Sequence, residues 1–550
     1  MSANYNSSLD QGGVMFDVAA RFRRPLLTIA AALAFPAVAQ AQESRTAFVQ
    51  LFEWKWTDVA KECETWLGPK GFAAVQISPA QEHPDVTSPP HPWWQRYQPV
   101  SYQLVSRSGS RAQLADMISR CNAVGVKVYA DVVVNHMAGT GTPAGLGVGG
   151  SSFNPQTRQY PGVPYGPPDF HPQCNIDYGD AGSVRNCWIE GSLPDLRVET
   201  DYVRQKLIDH MNDLISLGVA GFRIDAGKHV RPEDLEAILG KVHNIGEAIN
   251  PRTGQAFHAP VQRPYIFIEV IRGEKEPVQP VDYTYLGNVT EFYYGRQLAG
   301  KFRDPQQRLA QIRTFPGHPA SADWGLLPSY QAVAFLDNHD NQRGHGNGAW
   351  QSDGRIANIL THHFDGNLYN LANVFMLAWP YGYPVVMSSY EWPINVQWSQ
   401  DKFRDVNDWM GPPANPQGMT NDVTCFSGGW VCEHRWDNIA EMVEFRNYTG
   451  AVQDGWTVTN WWDNSADKIA FGRNGRGFVI INRAGPGITN QQFATGMPPG
   501  QYCEVLHADF NRINGTCSGT TVIVNAGGWA TFTVPTGEAA AIYGGAKVGA

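Results

Sequence analysis

Eight short apolar runs, several of them separated by stretches with helical spacing, constrain this chain more than any other feature. AFVQLF (47–52), GFAAVQIS (71–78), VKVYADVVV (126–134), GFRID (221–225), YIFIEV (265–270), VTEFYY (289–294), AVAFLDN (332–338) and PVVMSS (384–389) read as strands. Between them lie segments such as DYVRQKLIDHMNDLISLG, whose apolar residues recur at helical spacing before a glycine stop. Strand and helix alternating about eight times implies an α/β fold, a parallel (β/α)8 TIM barrel with its helices outside. The barrel is expected over 42–136 and 201–451. The Gly- and Pro-rich stretch 137–200 after the third strand is too long for an ordinary loop and reads as a small inserted domain. Beyond about 452 the helical period stops. There KIAFGR, GFVIINR, YCEVLH, TTVIVN and WATFTV, separated by Gly, Asn and Pro, predict a C-terminal antiparallel β-sandwich domain over 452–550.

The chain has the material for such a core. Its 550 residues are 43% hydrophobic and 17% charged, which excludes disorder and suffices for one large core with attached domains. A net charge of −9 without a long Lys/Arg run speaks against nucleic acid as a partner. Arg21, Arg23 and Arg24 precede PLLTIAAALAFPAVAQA, which ends in Ala39-Gln40-Ala41. This is the pattern of a signal peptide over 1–41, cleaved after Ala41, with Met1 or Met15 as the start. No other apolar run is long enough to span a bilayer, so no membrane partner is expected. Eight cysteines without CxxC pairs argue for disulfides in an oxidising compartment rather than for zinc, with their connectivity left open.

In a parallel barrel the working residues sit at the C-terminal ends of the strands. Four segments end there in acid or imidazole: DVVVNH (131–136), GFRIDAGKH (221–229), the IEV around Glu269, and FLDNHD (335–340). Asp225 and Glu269 close consecutive strands, which lie about 4.8 Å apart. Retaining glycosidases need two carboxyl groups about 5–5.5 Å apart, one as nucleophile and one as acid/base. Asp340, two strands further round, could stabilise oxocarbenium charge. Arg223 points to the same face as Asp225 and would keep it ionised. Taken singly, GFRID fits a buried Arg-Asp pair and FLDNHDNQRGHG fits a metallohydrolase cluster. All four in order, at strand ends, point to one active site.

These segments resemble the four signature regions of the α-amylases of glycoside hydrolase family 13, in particular the animal-type branch that also has bacterial members. The likeness continues through QLFEWKW, VQISPAQEH, WWQRYQPVSY, GHG, MLAWPYG and the C-terminal β domain. It implies a secreted, monomeric enzyme that cleaves internal α-1,4 links of starch, glycogen or maltooligosaccharides with retention. Asp225 would be the nucleophile, Glu269 the acid/base and Asp340 the transition-state stabiliser. His136, His229 and His339 would contact the sugar, with Arg223 beside them and Lys228 on the product side. Trp93, Trp94 and Tyr97 would form a stacking platform with Gln98 alongside, and His345 would ride on a mobile GHG loop. A family 13 transglycosylase and a non-catalytic glucan-binding protein are the alternatives; intact Asp225, Glu269 and Asp340 speak against the second.

The resemblance also implies calcium in the inserted domain, held by Asn135, Asp195 and the carbonyls of Arg185 and His229. One residue more than in the family pattern separates Cys187 from Asp195. Chloride-activated members hold the anion with an Arg and an Asn, here Arg223 and Asn338, and with a third, basic residue whose position is Val385. Valine supplies neither charge nor donor, so chloride-independent activity is expected. Gly227 stands where an alanine or serine is usual. The implied disulfides are Cys63–Cys121, Cys174–Cys187, Cys425–Cys432 and Cys503–Cys517.

Overall fold

The computed structural model of the chain describes residues 45–346, 349–350, 356–392, 409–450 and 458–549. The expected signal peptide and the choice of start residue lie outside them.

All eight expected runs contribute a strand to one closed parallel barrel: β1 (Phe48–Leu51), β2 (Ala74–Ile77), β3 (Lys127–Val133), β4 (Gly221–Asp225), β5 (Tyr265–Ile268), β6 (Asn288–Glu291), β7 (Ala332–Ala334) and β8 (Tyr383–Ser388). Each pairs with its sequence neighbour, and β8 closes on β1 through Val386 opposite Val49. Because helices cover the outside, the strands are buried on both faces, and their sequences are nearly continuous apolar runs instead of alternating ones. Two strands end earlier than their apolar runs suggest. After β6 the Glu291 carboxylate accepts the Tyr293 N–H at 3.0 Å, which caps the helix Phe292–Arg303 and takes FYY out of the sheet. After β7 the Asn338 side chain accepts the N–H groups of Asp340 (3.1 Å) and Asn341 (2.9 Å), turning the chain out of the ladder.

Among the outer helices, Arg111–Ala123 starts at a capping box of Ser110 and Gln113, and Asp201–Ser216 buries Val203, Leu207, Met211 and Leu214 on one stripe. The segment between β3 and Asp201 carries short paired strands, Gly145–Leu146 and Ser152–Phe153, and the helix Ala181–Val184. It is tied back to the end of β3 by a bridge between His136 and Asp195 and by the Leu196 N–H donating to the Asn135 carbonyl at 2.8 Å.

The four implied disulfides are all formed, and no cysteine is free. Beyond the barrel, Val458–Asp463, Lys468–Arg473, Gly477–Asn482 and Glu538–Tyr543 form an antiparallel sheet. Along Gly477–Asn482 the side chains alternate between two cores. Phe478 and Ile480 pack with Phe493, Phe532 and Val534 from the paired strands Ile488–Ala494 and Trp529–Val534, while Val479 and Ile481 join the core shared with the barrel. Among the described residues no helix is long and apolar enough to cross a membrane.

Candidate active site

A cleft of about 640 Å³ opens at the C-terminal ends of the strands. Asp225, Glu269, Asp340, His136, His229, His339, Lys228, Trp93, Trp94, Tyr97, Gln98 and His345 all line it. Of the residues expected to touch substrate, Arg223 alone is not part of this lining. It is 3% exposed and lies beneath the floor, so its expected place at the sugar is corrected to one that organises the floor.

Alternation along β4 puts Arg223 and Asp225 on the same side. The Arg223 Nη1 donates to Asp131 at 2.8 and 2.9 Å and to Asp225 Oδ1 at 2.9 Å, while its Nη2 donates to Glu269 Oε1. The strand register makes this possible. Asp131 pairs with Arg223 across β3 and β4, and Ile224 pairs with Ile268 across β4 and β5, so Asp225 and Glu269 follow side by side. Behind Asp225 the chain enters the left-handed region at Ala226 (φ 49°), a conformation that non-glycine residues rarely adopt and that concentrates at functional sites. That turn aims the Ala226 N–H at Glu269 Oε2 (3.0 Å) and the Lys228 N–H at the Glu269 carbonyl (3.2 Å), fixing the acid from two directions. It also explains Gly227, because a Cβ there would meet Ile268 Cγ2 at 2.3 Å.

One guanidinium serves several buried acids. Burial pushes the Asp225 carboxyl well up, and the charges of Glu269 and Asp131 add to the rise against the pull of Arg223. Arg223 pairs with Asp225 as expected, yet it does not hold the carboxyl at its ordinary value, because desolvation outweighs the ion pair. Asp340 is pushed up to about 7 by burial and then by Glu269, opposed by Arg223 and His345. Asp131 is also raised, mainly by burial. Crowding of buried carboxyls on one guanidinium raises Asp225, Asp131 and Asp340 together, the kind of setting in which one carboxyl can act as an acid beside another that acts as a base.

The imidazoles are oriented by main chain and neighbouring side chains. His136 meets the Tyr97 carbonyl at 2.9 Å, His229 the Val184 carbonyl at 2.8 Å, and His339 the Gln50 amide at 3.1 Å. Burial lowers all three, so they stay neutral and suited to hydrogen-bonding hydroxyls. Tyr97 stacks on His339 with ring centres 5.0 Å apart and donates to Asp131 at 2.9 Å. Trp93 packs edge-on against Tyr97, His339 and His345, which makes both rings wall elements, while Trp94 is the more open of the three aromatics. Gln98 accepts from Gly139 and Thr142, bracing the inserted segment.

The proposed calcium ligands also converge. Asn135 and Asp195 lie on adjoining backbone, and the His229 ring is held by Val184, the residue before Arg185. Asp195 is 1% exposed, its Oδ1 has no partner among the described residues, and burial pushes its carboxyl up to about 7. A buried, unpaired carboxylate oxygen next to an Asn side chain fits a hard cation that takes oxygen ligands.

Arg223, Asn338 and Val385 line one small cavity of about 20 Å³ inside the barrel. Its lining offers no lysine and no second arginine, its His339 is kept neutral by burial, it is also lined by Asp337, and the charge of Arg223 is already matched by three carboxylates. That is a poor setting for an anion.

Sequence reasoning missed Asp131, whose signal was an acid inside an apolar strand beside an Arg-bearing one. It also missed Glu276, which pairs with Lys228, and the Ile189–Leu193 stretch that forms the opposite wall. These come from loops, where spacing carries no information about contact.

Over residues 459–545 the chain matches the family described as alpha amylase, C-terminal all-beta domain. It is 44% identical over 503 residues to pancreatic alpha-amylase 2a5 of Mus musculus, covering 90% of this chain and 92% of that protein. Alpha-amylase 1B of Homo sapiens is 44% identical over 507 residues, covering 90% and 93%. Among solved structures, a variant of alpha-amylase I from Eisenia fetida in complex with maltohexaose is 46% identical, covers 91% of this chain and 97% of that one, and superposes with a TM-score of 0.80. Identity at this level runs through the barrel, the cleft and the C-terminal sheet together, and the chain therefore belongs to the α-amylase family, glycoside hydrolase family 13.

Proposed function

We propose that this protein is a secreted, retaining, endo-acting α-amylase that hydrolyses internal α-1,4 bonds of starch, glycogen and maltooligosaccharides. The observation that carries it is the pair Asp225 and Glu269, held by one guanidinium at the floor of an open cleft. Adjacent strand ends give about 4.8 Å, close to the ~5–5.5 Å that double displacement uses and short of the gap an inverting enzyme needs for water. The maltohexaose complex of the Eisenia fetida relative supports an oligoglucan as the occupant of the cleft. Four disulfides agree with an oxidising compartment.

In the first step Glu269 gives its proton to the glycosidic oxygen as the bond to C1 breaks, and Asp225 Oδ closes on C1 to form a covalent ester. In the second, Glu269 takes a proton from water, whose oxygen attacks C1 and releases Asp225. Two inversions restore the α configuration, and one water is consumed for each bond cut. Asp340, from the opposite side, offsets positive charge developing on the ring. His136, His229 and His339 hold hydroxyls, and Trp94 offers an apolar face to a sugar ring. Asn135, Asp195 and the carbonyls of Arg185 and His229 would hold calcium, which when bound supplies structural anchoring of the inserted segment.

Proton NMR of maltoheptaose digestion tests the reading. Freshly released α-anomer is expected, initial β-anomer would establish inversion, and products longer than the substrate would identify a transglycosylase. The interior cavity adds a second expectation. Rates in chloride-free and chloride-containing buffer of equal ionic strength should agree within about twofold, because Val385 leaves Arg223 without a cationic partner. Activation by an order of magnitude or more would refute it.

A further inference from the structure

We propose that His362, His363 and Glu391 form a second metal site, for a zinc-type divalent ion, separate from the calcium ligands. One ligand atom from each of the three lies within 4.8 Å of the others. The imidazoles are buried, with side chains 6% and 1% exposed, whereas the Glu391 side chain is 57% exposed and gives an ion a path from solvent. His362 Nε2 and both nitrogens of His363 have no hydrogen-bond partner among the described residues. Buried imidazole nitrogens are rarely left so, and coordination is the chemistry that two of them beside a carboxylate would serve.

The surroundings add a second shell. Glu433, fully buried, meets His362 Nδ1 at 3.1 Å and is itself fixed by the Ser389 N–H at 2.8 Å and the Ser389 hydroxyl at 2.5 Å. With Nδ1 engaged by Glu433, the Nε2 of His362 is the nitrogen left to an ion, the carboxylate–histidine arrangement that supports zinc. Two imidazoles and one carboxylate leave a fourth position for water and match zinc far better than calcium, which takes six to eight oxygens.

The place of the site in the fold gives it a purpose. Glu391 follows β8, and the histidines lead into the helix Asn367–Ala378, so an ion would clip the exit of the last barrel strand to that helix. Trp392 packs on both His363 and Arg343, and Arg343 donates to the His339 carbonyl at 2.8 Å. The clip therefore lies one layer behind the cleft wall and stiffens it.

Isothermal titration of the full-length enzyme with zinc, after chelation and reloading with excess calcium, tests the site, with cobalt absorption as a report on geometry. One zinc equivalent that calcium does not displace is expected, together with the visible bands of a tetrahedral cobalt centre. Glu391→Gln, at an exposed position that does not threaten folding, should weaken zinc binding by about tenfold or more, and His363→Ala should abolish it. Absence of zinc binding in the calcium-loaded protein overturns the proposal. So does full affinity retained in either variant.

Discussion

Asp225→Asn should lower kcat/KM on maltoheptaose by about 10⁴-fold or more while leaving the melting temperature equal to or above that of the wild type. The two halves of this expectation have one cause. Asp225 is held in a site where burial pushes its carboxyl well up, so the folded protein bears a cost for its charge. An amide of the same shape removes that charge and leaves Arg223 its contacts with Asp131 and Glu269, so the floor keeps its ion pairs. Catalysis loses the carboxylate oxygen assigned to form the ester with C1, and an amide oxygen is a poor nucleophile. Glu269 would still protonate the leaving oxygen, which is why a residual rate above water remains. Calorimetry beside initial rates separates the effects. A tenfold loss would place the nucleophile elsewhere, and a large fall in melting temperature would mean that Asp225 is structural.

The floor was legible in the sequence because strand order fixes it. GFRID forms β4 and the run before Glu269 forms β5, and once eight alternating runs imply a barrel, consecutive strands must be neighbours. The short range of β-sheet geometry then places Asp225 beside Glu269 without further information. Asp131 escaped because DVVVNH was read for its terminal Asn and His, while its acid speaks only when paired in register with Arg223. The protonation of the site escaped for another reason. An Arg two residues from an Asp suggests an ionised carboxylate, but that inference has no access to burial, and burial outweighs the guanidinium once Asp131, Glu269 and Asp340 crowd the same charge. Strand ends overshot at VTEFYY and AVAFLDN because propensity continues where a capping Glu291 and a turning Asn338 end the ladder. The resemblance supplied what spacing could not: the disulfide partners and the oxygen set around Asp195.

Removal of calcium should produce the second large effect, a loss of nearly all activity at temperatures where the chain is still folded. The proposed ligands divide evenly, with Asn135 and His229 on barrel strand ends and Arg185 and Asp195 on the inserted segment, so the ion joins two parts of the chain. That segment also supplies Ile189 to Leu193, one wall of the cleft. Without a cation, one buried Asp195 oxygen lacks a partner among the described residues, while the other meets His171 at 2.6 Å. The linkage is sizeable: an ion present at about 1,000 times its dissociation constant stabilises the folded state by about 4 kcal/mol. Excess EDTA should therefore lower the melting temperature by several degrees. Calcium should restore both properties and magnesium should not, since the smaller ion demands near-octahedral geometry and gives up its waters reluctantly. Asp195→Ala should reproduce the chelated behaviour, and unchanged melting and rate in EDTA would remove the ion from the account. Activity should fail before the fold does, because His229 would serve both centres. Its carbonyl would face the ion and its ring lines the cleft beside Lys228, so loosening the first displaces the second while the barrel behind it stays closed.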